Sequence, residues 1–180
     1  MKNIKLLSAL ILIAAMVFIF AACAAKSPAW STPADVTGTT FEAGKFTVLV
    51  PDGWSGVAVS DTFNDYDTAY NPYQAYIAKG KNINSETGVY SKPYILVEFT
   101  PADETFYELS SMFYDNVEEK SITVNGQEWI GFSGHFISDC IILWTEYADG
   151  SHAEVTIYHE GDKITVDDVD VQAILMSIRY

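Results

Sequence analysis

"CIILWTEYADGSHAEVTIYH", residues 140–159, is a pair of apolar runs separated by Asp149-Gly150. Asp-Gly between alternating apolar residues favours a tight hairpin, because both residues tolerate the positive φ angles such turns need. A two-residue turn there sets Trp144 opposite Val155, Ile142 opposite Ile157 and Cys140 opposite His159, all on one face. The sequence just before it carries the same signal. "ITVNGQEW", residues 122–129, places Asn125-Gly126 between two further strands. The run from Glu128 to Tyr147 is too long for one strand, so a bulge or break is expected near Ser133-Gly134 or Ser138-Asp139.

Further upstream, "YILVEF" at 94–99 is almost continuously apolar, the pattern of a strand covered on both faces. "KFTVLVPDGW" at 45–54 predicts a strand with Phe46, Val48 and Val50 on one side, ending at Pro51 before an Asp52-Gly53 turn. Residues 61–91 are rich in turn formers and predict irregular structure with a short strand near Ala75 to Ala78. Two segments read as helices. Asp103 is a suitable N-cap for 102–120, where Phe106, Leu109, Phe113 and Val117 recur at helical spacing. Asp167 plays the same part at the end of the chain, with Asp168 and Asp170 at the positive pole and Val171, Ile174, Leu175 and Ile178 on one side. The predicted class is α+β, an antiparallel β-sheet flanked by helices on both faces.

The N-terminus gives an address. Lys2 and Lys5 precede an apolar run from Leu6 to Phe20, and Ala21-Ala22 lead to Cys23. This pattern resembles a bacterial lipoprotein signal peptide over 1–22, which would make Cys23 the lipidated first residue of the mature chain. Phe20 stands where that signal usually has leucine. The alternative is an uncleaved anchor, since the run through Ala25 approaches the roughly 20 residues that span a bilayer. Either way the positive end stays inside and the remainder faces outside the cytoplasm. Residues 23–44, rich in Ala, Ser, Thr, Pro and Gly, read as a tether, and 45–180 as one domain.

Charge excludes one class of partner. The chain has 24 acidic and 10 basic residues, for a net charge of −14. Without Lys2 and Lys5 the mature part carries −16, a field that repels phosphate backbones, so no nucleic-acid partner is expected. Arg179 is the sole arginine. With Cys23 acylated, Cys140 has no intramolecular disulfide partner and the fold must hold by side-chain contact alone.

The strand and corner "FTVLVPDGW" (46–54), the "ITVNGQEW" hairpin and "ILMSI" (174–178) together resemble PsbP-like domains over most of 45–180. The resemblance implies an α/β/α sandwich and a docking protein, as in the plant photosystem member and a eukaryotic member that binds the Ran GTPase. It implies no catalytic residue, and none of the relatives' partner-binding residues can be matched here.

Candidate chemistry is sparse. Cys140 with His159 is the most enzyme-like pair, but a cysteine among Ile and Trp is more often a buried small hydrophobe. "GFSGH" (131–135) and "HEGDK" (159–163) each miss the catalytic motif they approach. Asp61, Asp65 and Asp67 offer oxygen ligands without the spacing of a Ca²⁺ loop, so no metal or cofactor is expected. Tyr66, Tyr70, Tyr73 and Tyr76 either pack on the sheet or form a surface for a glycan or protein. The sequence therefore predicts an exported, lipid-anchored, non-catalytic module that docks a protein partner at the envelope.

Overall fold

The computed structural model describes residues 36–63, 65–158 and 164–180. Cys23, the apolar run before it and His159 lie outside the described residues. The strands are β1 (Gly38–Glu42), β2 (Thr47–Pro51), β3 (Trp54–Ser60), β4 (Tyr70–Lys79), β5 (Tyr94–Thr100), β6 (Asp115–Val124), β7 (Gln127–His135), β8 (Asp139–Glu146) and β9 (His152–Tyr158). Two short helices join them, α1 (Glu86–Val89) and α2 (Val169–Ser177). Seven strands form one antiparallel sheet in the order β3-β4-β5-β9-β8-β7-β6, while β1 and β2 make a separate hairpin.

The core lies on one face of this sheet. Ile77, Ile95, Val97, Leu143, Val155 and Ile157 are fully buried there, against Phe46 and Val48 of the small hairpin and Ile174 and Leu175 of α2. Burying each such side chain contributes roughly 1.5–3 kcal/mol relative to exposure. Polar contacts then fix α2 in place. Trp54 Nε1 donates to Asp170 Oδ2 at 3.0 Å, Leu49 N donates to Ser177 Oγ at 2.7 Å, and Arg179 pairs with Thr47 through both main-chain groups.

The predicted fold class is overturned. The described chain is mostly strand, and the second face carries no substantial helix. It is covered by the four-residue α1 at one end and by an extended strap, residues 101–114, at the other. Residues 102–120 do not form the expected helix. Their second half is taken by the ladder with β7, where Glu118 to Val124 pair with Ser133 to Gln127 around Asn125-Gly126. That turn, with φ of 50° and 81°, is the tight Asn-Gly hairpin its sequence predicts. The remaining piece leads from β5 to β6 at the far edge, lying flat with a single 3-10 turn at Ser111–Phe113. The α/β/α sandwich implied by the PsbP-like resemblance is therefore not formed.

Register also differs at residues 140–159. Cys140 pairs with Tyr158, Ile142 with Thr156 and Trp144 with Glu154, one residue away from the two-residue-turn expectation. The loop has three residues. Tyr147 N donates to Ser151 O at 2.8 Å, Asp149 Oδ1 accepts from Ser151 N and Oγ, and Gly150 takes a φ of 88°. A three-residue loop ending in a left-handed glycine is the next most favoured hairpin after the two-residue type. Because side chains alternate between faces, the extra loop residue sends Val155 to the core and Glu154 to the face of Trp144.

Two smaller differences follow. The expected break between β7 and β8 falls at Phe136 to Ser138, beside the predicted Ser138-Asp139. Residues 38–42, assigned above to the tether, form β1 and pair with β2 from Gly38↔Pro51 to Glu42↔Thr47, so ordered structure begins ahead of Lys45.

Candidate functional site

The register at β5, β8 and β9 brings together two carboxylates that lie far apart in sequence. Glu98 and Glu154 are direct partners across β5 and β9, and Gln74 of β4 is partner to Glu98. Gln74 Nε2 donates to Glu98 Oε1, and the Leu109 backbone N–H of the strap donates to Glu154. Glu154 is only 6% exposed and its Oε2 has no hydrogen-bond partner. Burial raises its pKa to about 8, with the charge of Glu98 adding to the effect, so it holds its proton at neutral pH. Burial likewise raises Glu98, against the lowering influence of Gln74. Sequence reading passed over this pair, although an acidic residue inside each of two apolar strands, "YILVEF" and "HAEVTIY", is a detectable oddity.

The strap seals this polar spot. Phe106 stacks on His152 with ring centroids 4.5 Å apart and planes at 6°, and Tyr114 meets Phe132 edge-on at 5.1 Å. A protonated carboxyl beside a carboxylate is chemically equipped for acid–base work. Glu154 lies 6% exposed beneath the strap, and its burial makes the stability of the fold depend on pH.

The predicted tyrosines do not form one surface. Tyr66 and Tyr73 pack together at 5.6 Å, and Tyr73 leans on the main core. Tyr76 is buried on the opposite face, edge-on to Tyr90 and Tyr94, with its hydroxyl 3.0 Å from that of Tyr90. Tyr70 is half exposed and lines a cleft of about 490 Å³ with Val57, Ile83 and Glu86. Asp61 accepts from the Asp65 and Tyr66 backbone at 3.3 and 3.1 Å, which ties the loop to itself. Among the described residues, no three His, Cys, Asp or Glu side chains gather as a metal site.

Cys140 is 2% exposed between Phe132 and Ile142, its Sγ 3.7 Å from Gly134 O. Burial, followed by the charge of Asp139, pushes its thiol up to about 11. A thiol held neutral and enclosed is a poor nucleophile. We expect thiol reagents to leave Cys140 unmodified in the folded protein and to label it fully in denaturant, read by intact mass. Labelling at equal rates in both states would restore a reactive site.

One apolar surface remains open. The outer side of the strap presents Tyr107, Met112 and Phe113, and the β7–β8 turn beside it presents Phe136 and Ile137, all more than 60% exposed. Tyr114 joins the two segments, its ring 5.8 Å from Phe136. Exposed acids flank the strip along the chain at Glu104, Glu108, Asp115, Glu118 and Glu119. Sequence reading assigned Phe113 to a buried helix face and missed the strip for that reason. Among the described residues no helix is long and apolar enough to cross a membrane. No family model matches the chain, and no curated protein matches it.

Proposed function

We propose that this chain is an exported, lipid-anchored binding module that docks a protein partner at the cell envelope and carries out no chemistry of its own. The lipoprotein-like signal ending at Cys23 supports the address. The observation that carries the docking role is the exposure of Tyr107, Met112 and Phe113 along the strap and of Phe136 and Ile137 on the turn that Tyr114 contacts, because large apolar side chains left exposed in one region mark interaction surfaces. Its acidic flanks and the −16 charge of the mature part select the partner, a protein surface with an apolar centre and a basic rim. The same charge disfavours nucleic acid and anionic lipid.

Crosslinking from native membranes with the anchored protein as bait tests this reading. Met112→Glu with Phe113→Ser should abolish the crosslinked species, whereas Tyr70→Ala, away from the strip, should leave it unchanged. Capture should also weaken about tenfold or more when ionic strength is raised from roughly 0.05 to 0.5 M, since rim charges are screened over a few ångströms there. A species captured equally by the strip variant and the native sequence would overturn the assignment.

A further inference from the structure

Between the strap and the part of the sheet formed by β7, β8 and β9 lies a cleft of about 350 Å³. Phe106 lines it from the strap, Trp144 from β8 and His152 from β9, and all three rings are partly exposed. Ile130 of β7, the cross-strand partner of Trp144, is 43% exposed beside them. Three glutamates line the same space, Glu108 of the strap, Glu128 of β7 and Glu146 of β8, and all three are exposed. Strand alternation explains the grouping, since Glu128 shares a face of β7 with Ile130 and Glu146 shares a face of β8 with Trp144.

No lysine or arginine lines this concavity. Among the described residues none of the three glutamates makes an ion pair, although Glu128 accepts from Ser121 Oγ at 3.4 Å. The rings set the cleft apart from ordinary acidic surface. A hydrated metal ion gains little from aromatic walls. An organic cation gains from them twice, by attraction to the π system and by burial of its alkyl stem. Carboxylates beside the rings then accept its N–H groups. The volume is near the lower end for ligand sites and suits a cation about the size of a basic side chain.

We propose that this cleft binds an organic cation, an alkylammonium or alkylguanidinium group, with Trp144 and Phe106 against its stem and Glu108, Glu128 and Glu146 balancing its charge. That chemistry has two sources, a free amine and a lysine or arginine side chain of a docked protein. The first stands without the docking reading. The second rests on it, because Phe106 and Glu108 flank Tyr107 of the open strip, where a partner's basic rim would bring such side chains.

Calorimetry on the whole exported chain tests this, with n-butylguanidinium as the free cation and a short end-capped peptide carrying one arginine as the side chain. Binding in the roughly millimolar range or tighter is expected for at least one probe at low salt. n-Butylurea, neutral and of similar shape, should not bind. Glu128→Gln with Glu146→Gln, both at exposed positions, should weaken binding about tenfold or more, and Trp144→Leu several-fold. Glu42→Gln, an exposed acid on β1 outside the cleft, should leave binding unchanged, which separates the cleft from the overall charge of the chain. A peptide bound about tenfold more tightly than n-butylguanidinium identifies a partner's side chain as the source, and comparable or weaker peptide binding identifies a free cation. No heat from either probe at about 10 mM, or an equal loss in Glu42→Gln and the cleft variant, would sink the idea. No partner takes part in this measurement, so its outcome is independent of the crosslinking that tests docking.

Discussion

Glu154→Gln is expected to stabilise the protein at pH 8 by roughly 3–4 kcal/mol and to change it little at pH 4. Each unit of pKa difference between folded and unfolded chain corresponds to about 1.36 kcal/mol. Glu154 moves from an ordinary 4.5 to about 8 on folding. The folded state thus keeps a proton that the unfolded chain releases as pH rises. The group's favourable contribution is complete below about 4.5 and is lost progressively as pH rises to about 8. Glutamine mimics the protonated acid in shape, cannot ionise, and offers an amide N–H to Glu98 across the strands. Urea midpoints measured at intervals from pH 4 to 9 give the comparison. The native chain should fall across that range, and the variant should stay nearly level. Glu98→Gln should also lower the Glu154 pKa, because the charge of Glu98 is the second cause of its rise. Parallel pH curves for the native chain and Glu154→Gln would mean that the proton is held elsewhere.

This carboxylate pair also shows where sequence reading stopped. Asn125-Gly126, the strand at 94–99 and the closing helix were legible, because each is fixed by neighbours within a few residues. The α/β/α expectation failed over 102–120, where a local helical period competed with a strand partner. Asp115 and Glu118 to Lys120 pair with β7 instead, and local spacing carries no information about that partner. The hairpin at 140–159 was right in kind and one residue out in register. That single residue replaced Val155 with Glu154 as the partner of Trp144 and put Glu154 beside Glu98. Asp149 and Ser151 bond to each other in the loop, a detail that "ADGS" contains but does not announce. Likewise, the tyrosines at 66–76 have helical spacing in sequence, yet β4 alternation puts Tyr73 and Tyr76 on opposite faces. The open strip requires the route of the chain between β5 and β6, which no local pattern encodes.

The second large effect is expected at Gly131, in the middle of β7. A Cβ built there would stand 2.0 Å from Ile142 O and 2.9 Å from Ile142 C, both main-chain atoms of β8. No side-chain rotation can relieve such a clash, so Gly131→Ala must push β7 and β8 apart. The ladder at risk runs from Ile130↔Trp144 to His135↔Asp139 and supports Phe132, Ile142 and Leu143 on both sides of the sheet. Overpacking and lost strand bonds together should cost about 3 kcal/mol or more, a large share of a domain's stability. The φ of 159° adds backbone strain in the same direction. Gly126→Ala is the informative control. Gly126 has a φ of 81° but open space where its Cβ would point, so only the left-handed backbone penalty of roughly 1–2 kcal/mol applies. Denaturant midpoints for the two variants should therefore separate by about 1 kcal/mol or more, with Gly131→Ala the weaker protein. If Gly126→Ala proved equally destabilising, the cost at Gly131 would be one of backbone angle alone. The close approach of β7 to β8 would then not be what requires glycine in "WIGF".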